Sequence, residues 1–487
     1  MTSEAFVTSQ AGTRYDPVEL FIDGQLCGSG NKRLEITNPA TEQVIGSVAI
    51  ATSQDLDAAL ASSAKGYRVW RNTPAVDRAT VLNRAAQLIR ERVEETALLL
   101  TLEQGKPLSH AKMEMMACAE TFEWYAAEAC RANGRILPAR KGGTRQMVVP
   151  EPIGPVVAFS PWNFPALLAA RKIAPALAAG CSCILKPSEE TPAAALSLAL
   201  ALRDAKLPPG VLNVVFGVPS DISEHLILSP VIRKVSLTGS VPAGQAVAAL
   251  AARGPKPCTL ELGGHAPVLV LADADIAFTA KISAASKTYN AGQVCTSPTR
   301  FMVHDSVYDQ FVECFVRELE KTKIGNGLLP QSRMGPLASS RRIAAMTELV
   351  ADAVDGGARV ATGGARFDSQ GYFWSPTVLT NVAATAKVLF TEPFGPLATV
   401  ERFSDLTDCV ALANASPVGL AGYVFTQSAK LATEVSDNLE VGMVGINSYA
   451  LSNTEAPFSG IKNSGYGYEG GADGLASYLH YKSVNQA

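Results

Sequence analysis

VVAFSPWNFPALLAARKIAPALAAGCSCILKPS, residues 156–188, decides the architecture. A short β-rich run, VVAFSP, gives way to a helical pattern that stops at Gly180. A second β-rich run, CSCILKPS, follows at once. Strand, helix and strand at this spacing form a βαβ unit, which requires a parallel sheet. Reading outward, the alternation continues with TPAAALSLALALRDAK as a helix, GVLNVVFG and KVSLTGS as strands, and GQAVAALAARG as a helix. After LELGGHAPVLVLADAD it resumes to about residue 440 with a second helix set that includes YDQFVECFVRELEK, a second α/β unit. Upstream, residues 19–50 alternate strand-like pieces with Gly and Asn-Pro turns. From about 54 to 133, apolar residues recur at three- and four-residue spacing, as in an amphipathic helix. RILPARKGGTRQMVVPEPIG reads as an extended outer ribbon, and the tail LASYLHYKSV alternates like an edge strand.

Composition narrows the function. A chain of 487 residues holds roughly three domain-sized units or two larger ones. Its 47% hydrophobic and 18% charged residues are those of a soluble globular protein. With a net charge of −3 and no long Lys/Arg run, nucleic acid and anionic membranes are not expected partners. MTSEAFVTSQAGTRYDP lacks the basic and apolar regions of a signal peptide, and PAAALSLALAL is too short to span a bilayer, so the expected location is the cytoplasm. The nine cysteines never form CxxC and the five histidines never form HExxH, so neither a disulfide framework nor a metal site is expected.

Several short stretches carry chemistry. YNAGQVCTSP (289–298) sets Cys295 after a small, flexible turn, where a cysteine is either a small hydrophobe or a presented nucleophile. In PWNFP (161–165) two prolines hold Asn163, either as a turn cap or as a rigid amide donor for an oxyanion. LELGG (260–264) places Glu261 between leucines in a buried strand, where it is a general base of raised pKa or one half of an ion pair. In ILKPSEETP (184–192), Lys186 and Glu189 lie at a strand end, suited to a ribose or to a helix N-terminus. SLTGSVPAG (236–244) offers backbone donors for phosphate at a strand-to-helix turn. GYGYEG (465–470) matches G-x-G-x-x-G, but only 17 residues follow it, too few for the helix and acidic residue the motif needs; it reads as a glycine-rich turn.

Together PWNFP, KPSEET, TGS-x-x-x-G, LELGG, GQVC and EPFGP (392–396) occur in the order and spacing of the aldehyde dehydrogenase superfamily, and the chain resembles it from about residue 20 onward. The resemblance implies an α/β fold: a discontinuous Rossmann-like dinucleotide-binding domain (1–134 and 151–261), a catalytic α/β domain (262–440) and a small β oligomerisation ribbon (135–150 and 470–487). It implies Cys295 as thiolate nucleophile, Asn163 and the Cys295 main-chain N–H as oxyanion donors, and Glu261 as general base. Lys186, Ser188, Glu189, Trp162, Gly239, Ser240, Glu392 and Phe394 would contact the dinucleotide. Glu189 favours NAD, because a carboxylate there would repel a 2′-phosphate, with NADP also possible. A homodimer or homotetramer bridged by the ribbon is implied.

Within the superfamily the chain is most similar to the bacterial succinate semialdehyde and α-ketoglutarate semialdehyde dehydrogenases. Arg171 and Ser452 match positions that bind the substrate's ω-carboxylate, and Tyr289 stands where a second arginine is usual. The expected substrate is an ω-carboxylate semialdehyde; the alternatives are an aromatic or neutral aliphatic aldehyde, acyl transfer to CoA, or a non-catalytic role. Glu261 argues against CoA acylation, because the resemblance implies that CoA-acylating enzymes lack it.

Overall fold

The computed structural model describes residues 15–487. The start of the 1–134 segment, with most of the stretch read as lacking a signal peptide, lies outside the described residues. Strand Val156–Phe159 is wholly buried, as a central parallel strand must be. Helix Pro165–Ala179 begins with proline at its first turn and ends on Gly180 in the left-handed region. Strand Cys183–Lys186 then pairs parallel to the first, from Val156 opposite Cys183 to Phe159 opposite Lys186. This is the βαβ unit read from residues 156–188.

Five parallel strands form the centre of an eight-stranded sheet. Their spatial order is Leu212–Val214, Cys183–Lys186, Val156–Phe159, Lys234–Thr238 and Cys258–Glu261. In chain order that is 3-2-1-4-5, a doubly wound arrangement whose direction reverses between the first and fourth strands. Helix Pro219–Leu228, which periodicity did not single out, makes the crossover to the fourth strand. It is short and has no side-chain N-cap.

The glycine-rich turn at 465–470 contributes Gly465–Tyr466 as an antiparallel edge on Cys258–Glu261. A Cβ on Gly465 would sit 1.9 Å from the Leu260 carbonyl oxygen, so glycine is required by that close approach. Helices Ser53–Trp70, Ala75–Glu91, Val93–Gln104 and Leu108–Ala129 occupy the stretch read as helical.

A seven-stranded sheet forms the second unit, with six parallel strands and one antiparallel edge. It continues past the boundary expected at residue 440, because Met443–Ile446 pairs with Ala421–Phe425. The C-terminal strand Leu479–Gln486 pairs antiparallel with Arg145–Pro152, and Arg135–Leu137 completes a three-stranded ribbon. The ribbon expected from residue 470 therefore starts later. Gly471–Ala476 is a short helix packed on Leu108–Ala129 and Pro165–Ala179. Among the described residues no helix is long and apolar enough to cross a membrane.

Candidate active site

Ligands of doubly wound sheets bind beyond the strand carboxyl ends where the strand order reverses. Here that point lies between Phe159 and Thr238. The chain leaves the first strand through Trp162 and Asn163, and the fourth through Gly239 and Ser240. A cavity of about 720 Å³ opens there, lined by these four residues together with Cys295, Glu392 and Phe394. Ser240 caps helix Val241–Ala252 through its side chain, so the donor-rich first turn of that helix borders the cavity.

Asn163 is held from several sides. Its main-chain carbonyl accepts from Lys106 Nζ at 2.7 Å and from Asn290 Nδ2 at 2.9 Å. Its side-chain Nδ2 donates to the Gln293 carbonyl at 3.1 Å, and its Oδ1 has no partner. Lys106 also pairs with Glu114 at 2.5 Å, both side chains fully buried. Glu114 Oε1 accepts from the N–H groups of Ala166 and Leu167 at 3.0 and 3.2 Å, in the first turn of the helix that follows Asn163. The rigid amide read from two prolines is thus clamped by a buried ion pair.

The turn before Cys295 is a 3₁₀ segment, Tyr289–Gly292, in which Asn290, Ala291 and Gly292 all have positive φ (48°, 53° and 69°). A Cβ on Gly292 would lie 2.2 Å from the Gly395 carbonyl oxygen, which explains the glycine. Gln293 braces the turn: its Oε1 accepts from Ala338 N at 2.9 Å and its Nε2 donates to the Asn290 carbonyl at 3.1 Å. Cys295 is half-buried against Leu420, Met443 and Phe458. Burial, then the charges of Glu392 and Glu261, push its thiol up to about 12, with Arg171 opposing. The thiolate expected from the sequence is therefore a neutral thiol in this state, and a base must take its proton.

Glu261, at the end of strand Cys258–Glu261, is buried and neither carboxyl oxygen has a hydrogen-bond partner. Burial and then neighbouring Glu469 raise its pKa well above the ordinary value, with Lys172 and Arg171 opposing. Glu469 in turn pairs with Lys172, whose Nζ also donates to Thr238 Oγ1 at 2.7 Å. Glu392 accepts from Gly264 N at 3.2 Å, and burial pushes it up to about 8. Phe394 meets Trp162 edge to face at 5.4 Å.

Not every expected dinucleotide contact lines the cavity. Lys186 and Glu189 pair with each other, and Glu189 accepts from Gly217 N at 3.3 Å. Ser188 Oγ accepts from Glu190 N at 3.3 Å. All three lie outside the cavity lining. The remaining surfaces fit a dinucleotide. A Cβ on Gly239 would meet nothing closer than 3.6 Å, leaving its backbone open, while one on Gly263 would lie 2.3 Å from Glu392 Oε2, so the carboxylate rests directly on the backbone.

A second cavity of about 190 Å³ is lined by Leu167, Arg171 and Ser452 together with two carboxylates, Glu120 and Glu455. Arg171, buried, donates to Ser452 Oγ at 2.5 Å and lies over the Phe458 ring at 4.8 Å. Among the described residues no carboxylate pairs with it. Tyr289 does not join this pair; it packs on His110 and Phe164. Lys106, Glu114, Asn290, Gln293, Lys172 and Glu469 did not emerge from the sequence. Only the Gly-Lys-Pro break at 105–107, between two helical patterns, could have pointed to Lys106.

The comparisons with known proteins agree with this fold. The model of the aldehyde dehydrogenase family matches residues 27–484. The chain belongs to the aldehyde dehydrogenase family. It is similar to 4-(hydroxymethyl)benzenesulfonate dehydrogenase TsaD1 of Comamonas testosteroni, 46% identical across 96% of this chain and 98% of the relative. It is also similar to the NADP(+) succinate-semialdehyde dehydrogenase GabD of Escherichia coli K12, 41% identical across 95% and 96%. The crystal structure of succinate-semialdehyde dehydrogenase from Burkholderia pseudomallei superposes with a TM-score of 0.95, at 39% identity, covering 96% of this chain and 98% of that one. This aldehyde dehydrogenase uses a nicotinamide dinucleotide to oxidise an aldehyde.

Proposed function

We propose that the enzyme oxidises an aldehyde bearing an anionic group at its far end, with Cys295 as nucleophile, Asn163 as oxyanion donor and Glu261 as general base. The thiol proton passes to Glu261 in its carboxylate form, which hands that proton to solvent before it acts again. The sulfur then adds to the aldehyde carbon: a C–S bond forms and the carbonyl π pair moves to oxygen. That oxygen is held by Asn163 Nδ2 and the Cys295 main-chain N–H. When bound, the nicotinamide supplies the acceptor for the hydride that leaves the substrate carbon, so that a thioester remains on Cys295. Glu261 takes a proton from water, whose oxygen adds to the thioester carbon; the C–S bond breaks, the sulfur leaves with its electron pair and a carboxylic acid is released.

The dinucleotide would lie along the large cavity against Trp162, Gly239, Ser240, Glu392 and Phe394. Lys186, Ser188 and Glu189 would reach its ribose once the Lys186–Glu189 pair opens. A carboxylate at Glu189 supports NAD over NADP. The eight-stranded sheet would be the dinucleotide-binding unit. A cytoplasmic homodimer or homotetramer is the assembly we infer, supported by the exposed apolar side chains of Ile136 and Tyr481 on the ribbon.

Arg171 carries the substrate assignment. Arg171 makes its hydrogen bond to a neutral partner, Ser452 Oγ, so its guanidinium has donors left for an anionic group. Steady-state kinetics over a panel of aldehydes test it. Arg171→Ala should raise KM for succinate semialdehyde or 4-carboxybenzaldehyde at least about 10-fold, and leave a neutral aldehyde unchanged. Equal effects on charged and neutral aldehydes would sink the assignment.

A further inference from the structure

We infer that Arg341 grips a phosphate of the bound dinucleotide, and that Glu190 holds the same guanidinium while the cofactor is absent. This rests on the placement of the dinucleotide in the large cavity and adds to it a group that none of the motifs contains.

Part of the cavity wall comes from the second unit. Helix Ser340–Asp355 starts there, and Ser339, Arg341 and Arg342 line the cavity together with Gly239, Ser240 and Pro242 of the first unit. Ser339 makes no side-chain cap, and the first turn of the helix holds no acidic residue. Two arginines therefore stand at the positive end of a helix dipole, where cations are disfavoured unless an anion joins them.

The two arginines differ in what they already hold. Arg342 Nη2 donates to the carbonyls of Pro393 and Phe394, and its guanidinium lies 5.9 Å from the Phe394 ring centre. Those bonds support a turn in which Phe394 has a φ of 46°, so Arg342 is committed to the shape of the cavity. Arg341 pairs instead with Glu190, which sits in the turn after strand Cys183–Lys186, beside Glu189. The pair bridges the two units across 151 positions of chain, with Arg341 on the cavity lining and Glu190 off it.

Such a pair is easily exchanged. The Arg341 side chain is 76% exposed, and exposed ion pairs contribute little. A phosphate offers the planar guanidinium two oxygens at once, and a bidentate, charge-assisted contact is the stronger bond. Departure of Arg341 does not leave Glu190 without a cation, because Lys186 also acts on its charge. A dinucleotide carries phosphate at its linkage and, in NADP, on the adenosine ribose. Arg341 shares its cavity with the phosphate donors at Ser240, and its partner Glu190 adjoins the carboxylate placed for the ribose.

The test measures Kd for NADH and NADPH from nicotinamide fluorescence, with urea midpoints to confirm folding. The proteins are wild type, Arg341→Gln, Arg341→Lys, Glu190→Gln, the Arg341→Gln/Glu190→Gln double variant and Trp162→Ala. Arg341→Gln should weaken binding at least about 5-fold and flatten its salt dependence, and Arg341→Lys should recover part of the loss. Glu190→Gln should tighten binding about 2- to 5-fold, because the competing carboxylate is gone. The double variant should match Arg341→Gln. Opposite signs for the two partners are decisive, since a mere brace between the units would weaken binding whichever partner is removed. A loss with NADPH alone assigns the 2′-phosphate and equal losses assign the linking phosphates; both uphold the grip. Unchanged affinity in Arg341→Gln, or no tightening in Glu190→Gln, overturns it. If Trp162→Ala weakens binding while Arg341→Gln does not, the cavity placement stands without Arg341; if neither weakens it, the placement itself fails.

Discussion

Replacing Lys106 by methionine removes an ammonium group that touches no substrate and yet holds the oxyanion donor. In the native structure Lys106 Nζ lies 2.5 Å from Glu114 and 2.7 Å from the Asn163 carbonyl, with neither side chain of the pair exposed. Methionine fills similar volume but leaves Glu114 as a buried charge supported only by the Ala166 and Leu167 N–H groups. Removing one partner of such a pair costs about 3–5 kcal/mol of stability. The Asn163 carbonyl keeps only its bond from Asn290. Complete loss of an oxyanion donor costs about 10²–10³ in rate, which sets the ceiling. A displaced but intact amide should cost about 10- to 100-fold in kcat.

The assays are urea unfolding, stopped-flow NADH formation and cofactor affinity. Lys106→Met should lower the unfolding midpoint and slow the first turnover, with dinucleotide affinity unchanged because Trp162, Ser240 and Glu392 are untouched. Adding Glu114→Gln should restore part of the stability, since the stranded charge is gone. On an Asn163→Ala background, Lys106→Met should cost little further activity. Wild-type stability and first-turnover rate in Lys106→Met would refute the argument, as would full additivity with Asn163→Ala.

Further outcomes follow from the buried acids. Glu261→Gln should release close to one NADH per active site and then stall with an acyl group on Cys295, seen by intact mass; steady turnover at the wild-type rate would remove Glu261 as the base. Because the folded-state pKa of Glu261 is raised, its base form appears only as pH climbs, so thioester hydrolysis should quicken with pH. The unfolded carboxyl ionises near pH 4.3, so above that pH the folded state binds the extra proton and stability falls as pH rises. Glu261→Gln should flatten that slope in urea midpoints taken at pH 5.5 and 8.5. Iodoacetamide labelling of Cys295 without cofactor, followed by peptide mapping, should be slow at pH 7 and climb about 10-fold per pH unit through pH 10, as a thiol pushed up to about 12 requires; a plateau below pH 9 would contradict the neutral-thiol state.

What the sequence determined by itself is what local periodicity and turn chemistry encode. Two valines before a Pro-fixed turn, an alanine-rich helix closed by Gly180 and the apolar CILK run specify strand, helix and strand, because each pattern acts over a few residues. Motif order then named Cys295, Asn163 and Glu261 as candidates. Only the tertiary structure decided the rest. The 3-2-1-4-5 strand order brings residues near 163 and 239 to one crevice, and the contacts that do so are distant in the chain. Lys106 reaches Asn163 across 57 positions and Lys172 reaches Glu469 across 297, separations at which no spacing rule operates. Burial supplied what no motif contains: a thiol pushed toward its protonated form at Cys295, a carboxyl without hydrogen-bond partners at Glu261, and a guanidinium bonded to the Ser452 hydroxyl at Arg171. Side-chain charge is written in the sequence, but its energy depends on how much water the fold removes from around it, and that is set only when the two sheets close on each other.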